Sequence, residues 1–338
     1  MLATAGYVFN EVLVYWFPNL GLSFCLLGVL LLLNLLGRRV ALVAQVGFLG
    51  VVVVGLVGLS VIALTGLGRP VAASVVSPAA GALAWQRSVA VLGLFIGFDL
   101  ARFTGYRPSQ TRSMTMGILL AGMVLCLWGS ASAMYVPLAK LADTTVPHML
   151  AARRILGQPG RIIIGVVVLA GTCGAVNALL LGCSRMLTGM AQHGLLPAML
   201  AWKAERAPLP LLLLAAGPAL MMLEGMAGEP ITTVWMRAGL VCWLLLYAMV
   251  HGAAITLRHR VPEPSPAVTV VWQVLSLVVL VLGSAVLVWL DAERGALLAC
   301  LGVVIVGLTL LGGVWLGLCR RRAATVSGGE DSVDNTVQ

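Results

Sequence analysis

An all-α polytopic membrane protein follows from three features of this sequence. Of its 338 residues, 60% are hydrophobic and only 10% charged, against roughly 25% charged residues in a soluble domain. Mostly apolar stretches recur from end to end, each long enough as a helix to cross about 30 Å of hydrocarbon. The basic residues behind the net charge of +9 gather in short groups between those stretches. That is the pattern of positive-inside topology, and no basic patch interleaved with aromatics points to nucleic acid.

Residues 5–17 are too short to span alone. Glu11, Tyr15, Trp16 and Phe17 suit a membrane boundary better than a signal peptide, which would need a basic start and a small-residue cleavage site. The first complete span is expected at 20–36 and ends at Gly37-Arg38-Arg39. Its partner, 41–65, runs to a loop marked by Pro70. Asn34 and Gln45 flank the arginine pair near the interface, where bonds to backbone or lipid headgroups suffice to explain them. A third span, 88–105, is interrupted by glycines and contains Asp99. A fourth, 113–137, precedes a polar segment long enough for a short interfacial helix.

Further spans are expected at 161–184, 208–223, 235–257, 267–290 and 294–318, about nine complete transmembrane helices in all. Residues 1–322 then form one membrane domain, and 323–338 a polar tail that lacks the apolar content to fold. Basic residues collect in every second loop: Arg38 and Arg39, Arg107 and Arg112, Arg185 with Lys203 and Arg206, Arg258 and Arg260, and finally Arg320 to Arg322. This places the C-terminus in the cytoplasm and the chain in a plasma or inner membrane as a multi-pass protein. Arg153, Arg154 and Arg161 oppose the assignment, and an external amphipathic helix would carry them.

Function is sought where the apolar frame is interrupted. In GLFIGFDLARFTG, the glycines Gly93, Gly97 and Gly105 either permit close helix packing or mark a break that leaves backbone groups free for a ligand. Asp99 has three readings: a gating or substrate-vestibule acid, an ion pair with Arg102 three residues on, or an interfacial position. In GTCGAVNALLLGCSR, Thr172, Asn177 and Ser184 either line a cavity or bond within and between helices; for Asn177 the helix contact is the favoured reading. Tyr247 and His251 form an i,i+4 pair, read as interfacial in preference to a proton relay.

No enzyme constellation is present: there is no HExxH, nucleophile elbow, phosphate loop or group of carboxylates, and His148 and Ser132 stand isolated on the presumed external edge. The scattered cysteines form no CxxC or Cys/His spacing, so neither zinc nor any other cofactor is expected.

Two motifs carry a family resemblance. LFIGFDLARFTGYRPSQTRSMTMGI resembles the sixth helix and following loop of the amino acid, polyamine and organocation transporter superfamily. SRMLTGMAQHGLLP resembles the end of its eighth helix, through Arg185, Met190, Ala191, Gly194, Leu196 and Pro197. The resemblance implies an incomplete inverted-repeat transporter fold that starts near the end of the family's third helix and lacks the first two. It implies an amino acid or related amine as substrate, moved by alternating access, with proton coupling as one mode. The retained half of the substrate site would be Phe95, Ile96, Gly97 and Phe98, followed by Asp99, with Thr172 and Asn177 as weaker candidates. The loop TGYRPSQTRS departs from the family in lacking consecutive acids. The other reading is a non-transporting membrane subunit, held by a partner subunit, or a truncated permease remnant, with lipid as the common partner in either case.

Overall fold

The computed structural model describes residues 2–12, 19–67, 97, 99–100, 111–137, 140–141, 144, 146–226, 229–258 and 267–333. Ten α-helices follow one another: α1 Leu2–Val12, α2 Asn19–Leu36, α3 Arg38–Leu64, α4 Thr111–Tyr135, α5 Pro147–Leu156, α6 Gln158–Gln192, α7 Pro208–Leu223, α8 Pro230–Arg258, α9 Ala267–Trp289 and α10 Arg294–Val333. Six of them, α3, α4, α6, α8, α9 and α10, are long and apolar enough to cross a membrane, while the apolar stretches Leu20–Leu36 and Pro208–Leu223 are shorter. Every expected span except 88–105 coincides with one of these helices. That one lies outside the described residues apart from Gly97, Asp99 and Leu100.

The helices expose what a water-soluble protein would hide. On α3, Val43 and Val54 are each 73% exposed, a face suited to hydrocarbon and not to water. The chain is therefore an all-α, multi-span membrane protein. Between such helices lipid is as apolar as leucine, so association rests on close packing and hydrogen bonds.

Two compact units can be distinguished, the first containing α1–α7 with the segment at 97–100, the second α8–α10. In the first, α6 is the central helix and packs on α1, α2, α3, α5 and α7. Its seam with α3 is built on small residues. Gly55 lies against Val167, Val52 against Gly171, and Phe48 with Gln45 against Gly174. Numbers fall along α3 as they rise along α6, so the two helices run antiparallel.

The seam ends in a core of Leu59, Ala63, Trp128, Ala131, Met149, Ile155 and Ile164, gathered around α5. Helix α5 starts with Pro147 at its first turn and stops at Gly157, whose φ of 71° suits glycine. The chain then re-enters helix with Gly160 pressed on the Ala152 carbonyl. A short helix thus occupies the polar segment between the fourth and fifth expected spans. On the other side of α6, Leu30, Cys173, Leu180 and Leu211 join α2, α6 and α7.

At 35 residues, α6 is about 52 Å long and outruns the hydrocarbon. Its far end carries Arg185, whose guanidinium donates to the carbonyl of Ala204 at 2.8 Å and to that of Glu205. Those bonds hold a turn in which Lys203 and Ala207 take positive φ values of 48° and 44°. The conspicuous arginine of SRMLTGMAQHGLLP thus has a local structural task.

In the second unit, Val234, Ala238 and Val241 of α8 pack on Leu297, Cys300 and Leu301 of α10. Helix α10 continues to Val333, past the boundary at 322 where a separate disordered tail is expected. Arg320 to Ala324 are strong helix formers, which favours helix across that boundary.

Candidate functional site

Gly97 is a turn residue with φ of 90°, and the Leu100 amide donates back to its carbonyl at 3.1 Å. The glycine-containing run is therefore not regular α-helix at this point. A Cβ at Gly97 would meet Leu100 Cδ1 at 3.3 Å and Leu179 Cδ2 at 3.6 Å, and its positive φ would strain any L side chain. Leu100 in turn sits over Gly182, where an added Cβ would fall 2.6 Å from Leu100 Cβ. The glycines at 97 and 182 let this turn seat directly on α6.

Asp99 projects from the same turn. Its Oδ1 is buried and has no hydrogen-bond partner among the described residues, and the carboxylate lies within electrostatic reach of Cys183. A buried carboxylate oxygen without a donor is costly in a low-dielectric setting, which makes this atom the first place to look for a ligand, a proton or a water. Arg102, the proposed ion-pair partner, lies outside the described residues, as do Phe95, Ile96 and Phe98.

The candidates on α6 separate onto two faces. At 100° per residue, Thr172 lines up with Leu179 seven positions on and with Cys183 eleven on. Thr172 is buried and belongs to the stripe on which the 97–100 turn sits, about 10 Å further along the axis from Leu179. Asn177 looks the other way, toward α2 and α3. Its Oδ1 accepts from Asn34 Nδ2 at 2.8 Å, and its Nδ2 donates to the Ala41 carbonyl at 3.0 Å and to Gln45 Oε1 at 2.8 Å. Asn34 also donates to the Leu30 carbonyl at 2.8 Å, while its Oδ1 is buried and has no partner among the described residues.

Asn34 and Gln45 are thus members of an amide network that ties α2, α3 and α6 together through protein groups. Asn177 spends both amide hydrogens on helices, in keeping with the helix-contact reading favoured for it. The signal for the network was three amides in otherwise apolar spans, but nothing in the spacing says that they meet. Ser184 bonds within its own helix, to the Leu181 carbonyl at 3.1 Å.

Sequence reasoning missed two further polar groupings. His148 is not isolated: Trp128 Nε1 donates to its Nδ1 at 3.1 Å, tying α5 to α4. In the second unit, Arg237 of α8 donates to both carboxylate oxygens of Asp291 at 3.0 Å and to Glu293. An arginine inside the span at 235–257, with two acids between the last two spans, was the available clue. Tyr247 packs edge-on against Trp243, with ring centroids 5.0 Å apart. Among the described residues no three His, Cys, Asp or Glu side chains group as they would to hold a metal ion.

The helices and the buried polar groups between them define a multi-span, all-α membrane protein. No known protein-family model matches the chain, and no curated protein matches it either.

Proposed function

We propose that this chain is an amino acid or amine permease that works by alternating access in a plasma or inner membrane, with its C-terminus cytoplasmic and proton coupling as part of the same reading. The observation that carries the proposal is Asp99 Oδ1, buried without a partner among the described residues, two positions after the turn at Gly97. Broken backbone at membrane depth is stable only where it is buried in protein or lines a cavity, and such breaks form the substrate sites of secondary transporters. A cationic amine beside Asp99 would neutralise the acid and satisfy its free oxygen. The resemblance of the 90–114 stretch to a transporter helix, the inverted-repeat fold it implies and the lack of a recognisable nucleophile or metal motif favour transport over an enzyme.

Uptake of radiolabelled amino acids into proteoliposomes tests the reading. Saturable uptake by the chain, lost in Asp99→Asn at unchanged protein levels, is the expected result. Silence from both this chain and a version extended upstream of Met1 would overturn it. One observation favours the second reading, a non-transporting subunit: the amide of Asn177 is committed to helix contacts and offers little to a substrate. A constant partner recovered from native membranes, together with absent uptake, would select that reading.

A further inference from the structure

Arg153, Arg154 and Arg161 stand against the positive-inside pattern. Two of them, Arg153 at the end of α5 and Arg161 at the start of α6, line one concavity of about 290 Å³, together with Tyr7 of α1. Arg154 is exposed and does not line it. Guanidiniums that share a partly enclosed space repel one another unless an anion lies between them. Arg161 is already engaged by another group, and its multiple N–H donors leave capacity for a second partner.

The rest of the lining is Thr144, whose hydroxyl donates to the Lys140 carbonyl, and an apolar flank of Val146, Met149 and Leu150. The space therefore has a cationic pole with a phenol beside it and a hydrophobic flank, on a short helix that does not span the membrane. Two guanidinium forks suit phosphate, whose several oxygens can serve both, better than a carboxylate that one fork can saturate.

We propose that this concavity binds a phosphate group, with Arg153 and Arg161 on the oxyanion and Val146, Met149 and Leu150 against the carbon part attached to it. The phosphate belongs either to an anionic phospholipid headgroup or to a free phosphate ester. The site stands apart from Asp99 and does not depend on the transport reading.

The full chain is reconstituted into nanodiscs of phosphatidylcholine containing phosphatidylglycerol, and the lipid retained after release is read by native mass spectrometry. Wild type and the control Arg154→Gln should keep phosphatidylglycerol, while Arg153→Gln and Arg161→Gln should each lose about fivefold of that retention. Arg153 is exposed, so its variant keeps the test readable even if Arg161→Gln fails to assemble.

In a second arm, inorganic phosphate and glycerol 3-phosphate are added, with thermal stability measured alongside. Displacement of the lipid, or stabilisation of wild type that Arg153→Gln loses, assigns a site open to free phosphate. Loss of lipid in the pocket variants without competition assigns a headgroup site. Equal lipid retention in all four proteins, with no phosphate-dependent stabilisation distinguishing wild type from Arg153→Gln, would overturn the proposal.

Discussion

Asn177 of α6 donates a 2.8 Å hydrogen bond to Gln45 of α3, across 132 positions of sequence. The same amide group bonds Asn34 and the Ala41 carbonyl, so one side chain joins three helices where hydrocarbon supplies no competing water. Its removal strands partners on both neighbours.

Asn177→Ala should therefore lower stability by about 1–3 kcal/mol, measured by unfolding in mixed micelles. A double-mutant cycle with Gln45→Ala should show coupling near the average for membrane hydrogen bonds, about 0.6 kcal/mol. Unchanged stability with abolished uptake would instead make Asn177 a ligand.

The glycines of α6 and its neighbours are not equivalent. At Gly160 an added methyl would lie 2.2 Å from the backbone oxygen of Ala152, whereas at Gly55 it would lie 2.2 Å from a side-chain methyl of Val167, and at Gly58 nothing is within 4 Å. Backbone cannot turn aside as a rotamer can. We expect Gly160→Ala to cost about 1–3 kcal/mol, Gly55→Ala less, and Gly58→Ala to be neutral or slightly stabilising through helix propensity. Thermal unfolding of the three variants checks the order, and a destabilised Gly58→Ala would contradict it.

The helical frame was legible because membrane-crossing length and hydropathy are local properties. The boundaries at 20–36 and 208–223 can be read within a residue or two of α2 and α7 for that reason. The partners of Asn34, Gln45 and Arg237 were not legible, since a polar residue in an apolar span announces a need for a bond but not its direction. Thr172 and Asn177 illustrate the difference: five positions apart, they belong to opposite faces of α6. The stretch at 90–114 was marked out by Asp99 and the glycines, and the turn at Gly97 agrees with a break there. Its ligand-facing half, Phe95, Ile96 and Phe98, lies outside the described residues.

His148 should make the α4–α5 contact sensitive to acid. Trp128 Nε1–H needs the lone pair of His148 Nδ1, and burial pushes the imidazole below its ordinary value of 6.5. The residue keeps an exposed outer edge, so we rest the prediction on the hydrogen bond and expect a small effect. With the folded value below the unfolded one, the unfolded chain binds more protons in the window between them, and stability rises with pH there. The contribution is complete above the unfolded value and is lost as pH falls from about 6.5 through the folded value. Protection factors of residues 147–156, with the intrinsic pH dependence of amide exchange divided out, should fall on acidification in wild type and respond less in His148→Gln. Identical pH profiles would remove His148 from the account.

The ion cluster of the second unit yields the last prediction. Asp291 is only 8% exposed, whereas Arg237 is 36% exposed, so the acid depends on the arginine more than the arginine depends on the acid. The Glu293 amide also donates to Asp291 at 2.8 Å, which shapes the link between α9 and α10 around the carboxylate. Arg237→Gln removes the counter-charge and leaves the acid poorly solvated. The exposure of Arg237 moderates the loss, and we expect about 1 kcal/mol. Arg237→Lys should recover only part of it, because an ammonium cannot reach Asp291 and Glu293 through one planar fork. Hydrogen exchange across residues 289–297 separates these cases: opening should increase in the order wild type, Arg237→Lys, Arg237→Gln. If lysine performs as well as arginine, charge alone rather than the forked geometry organises the link.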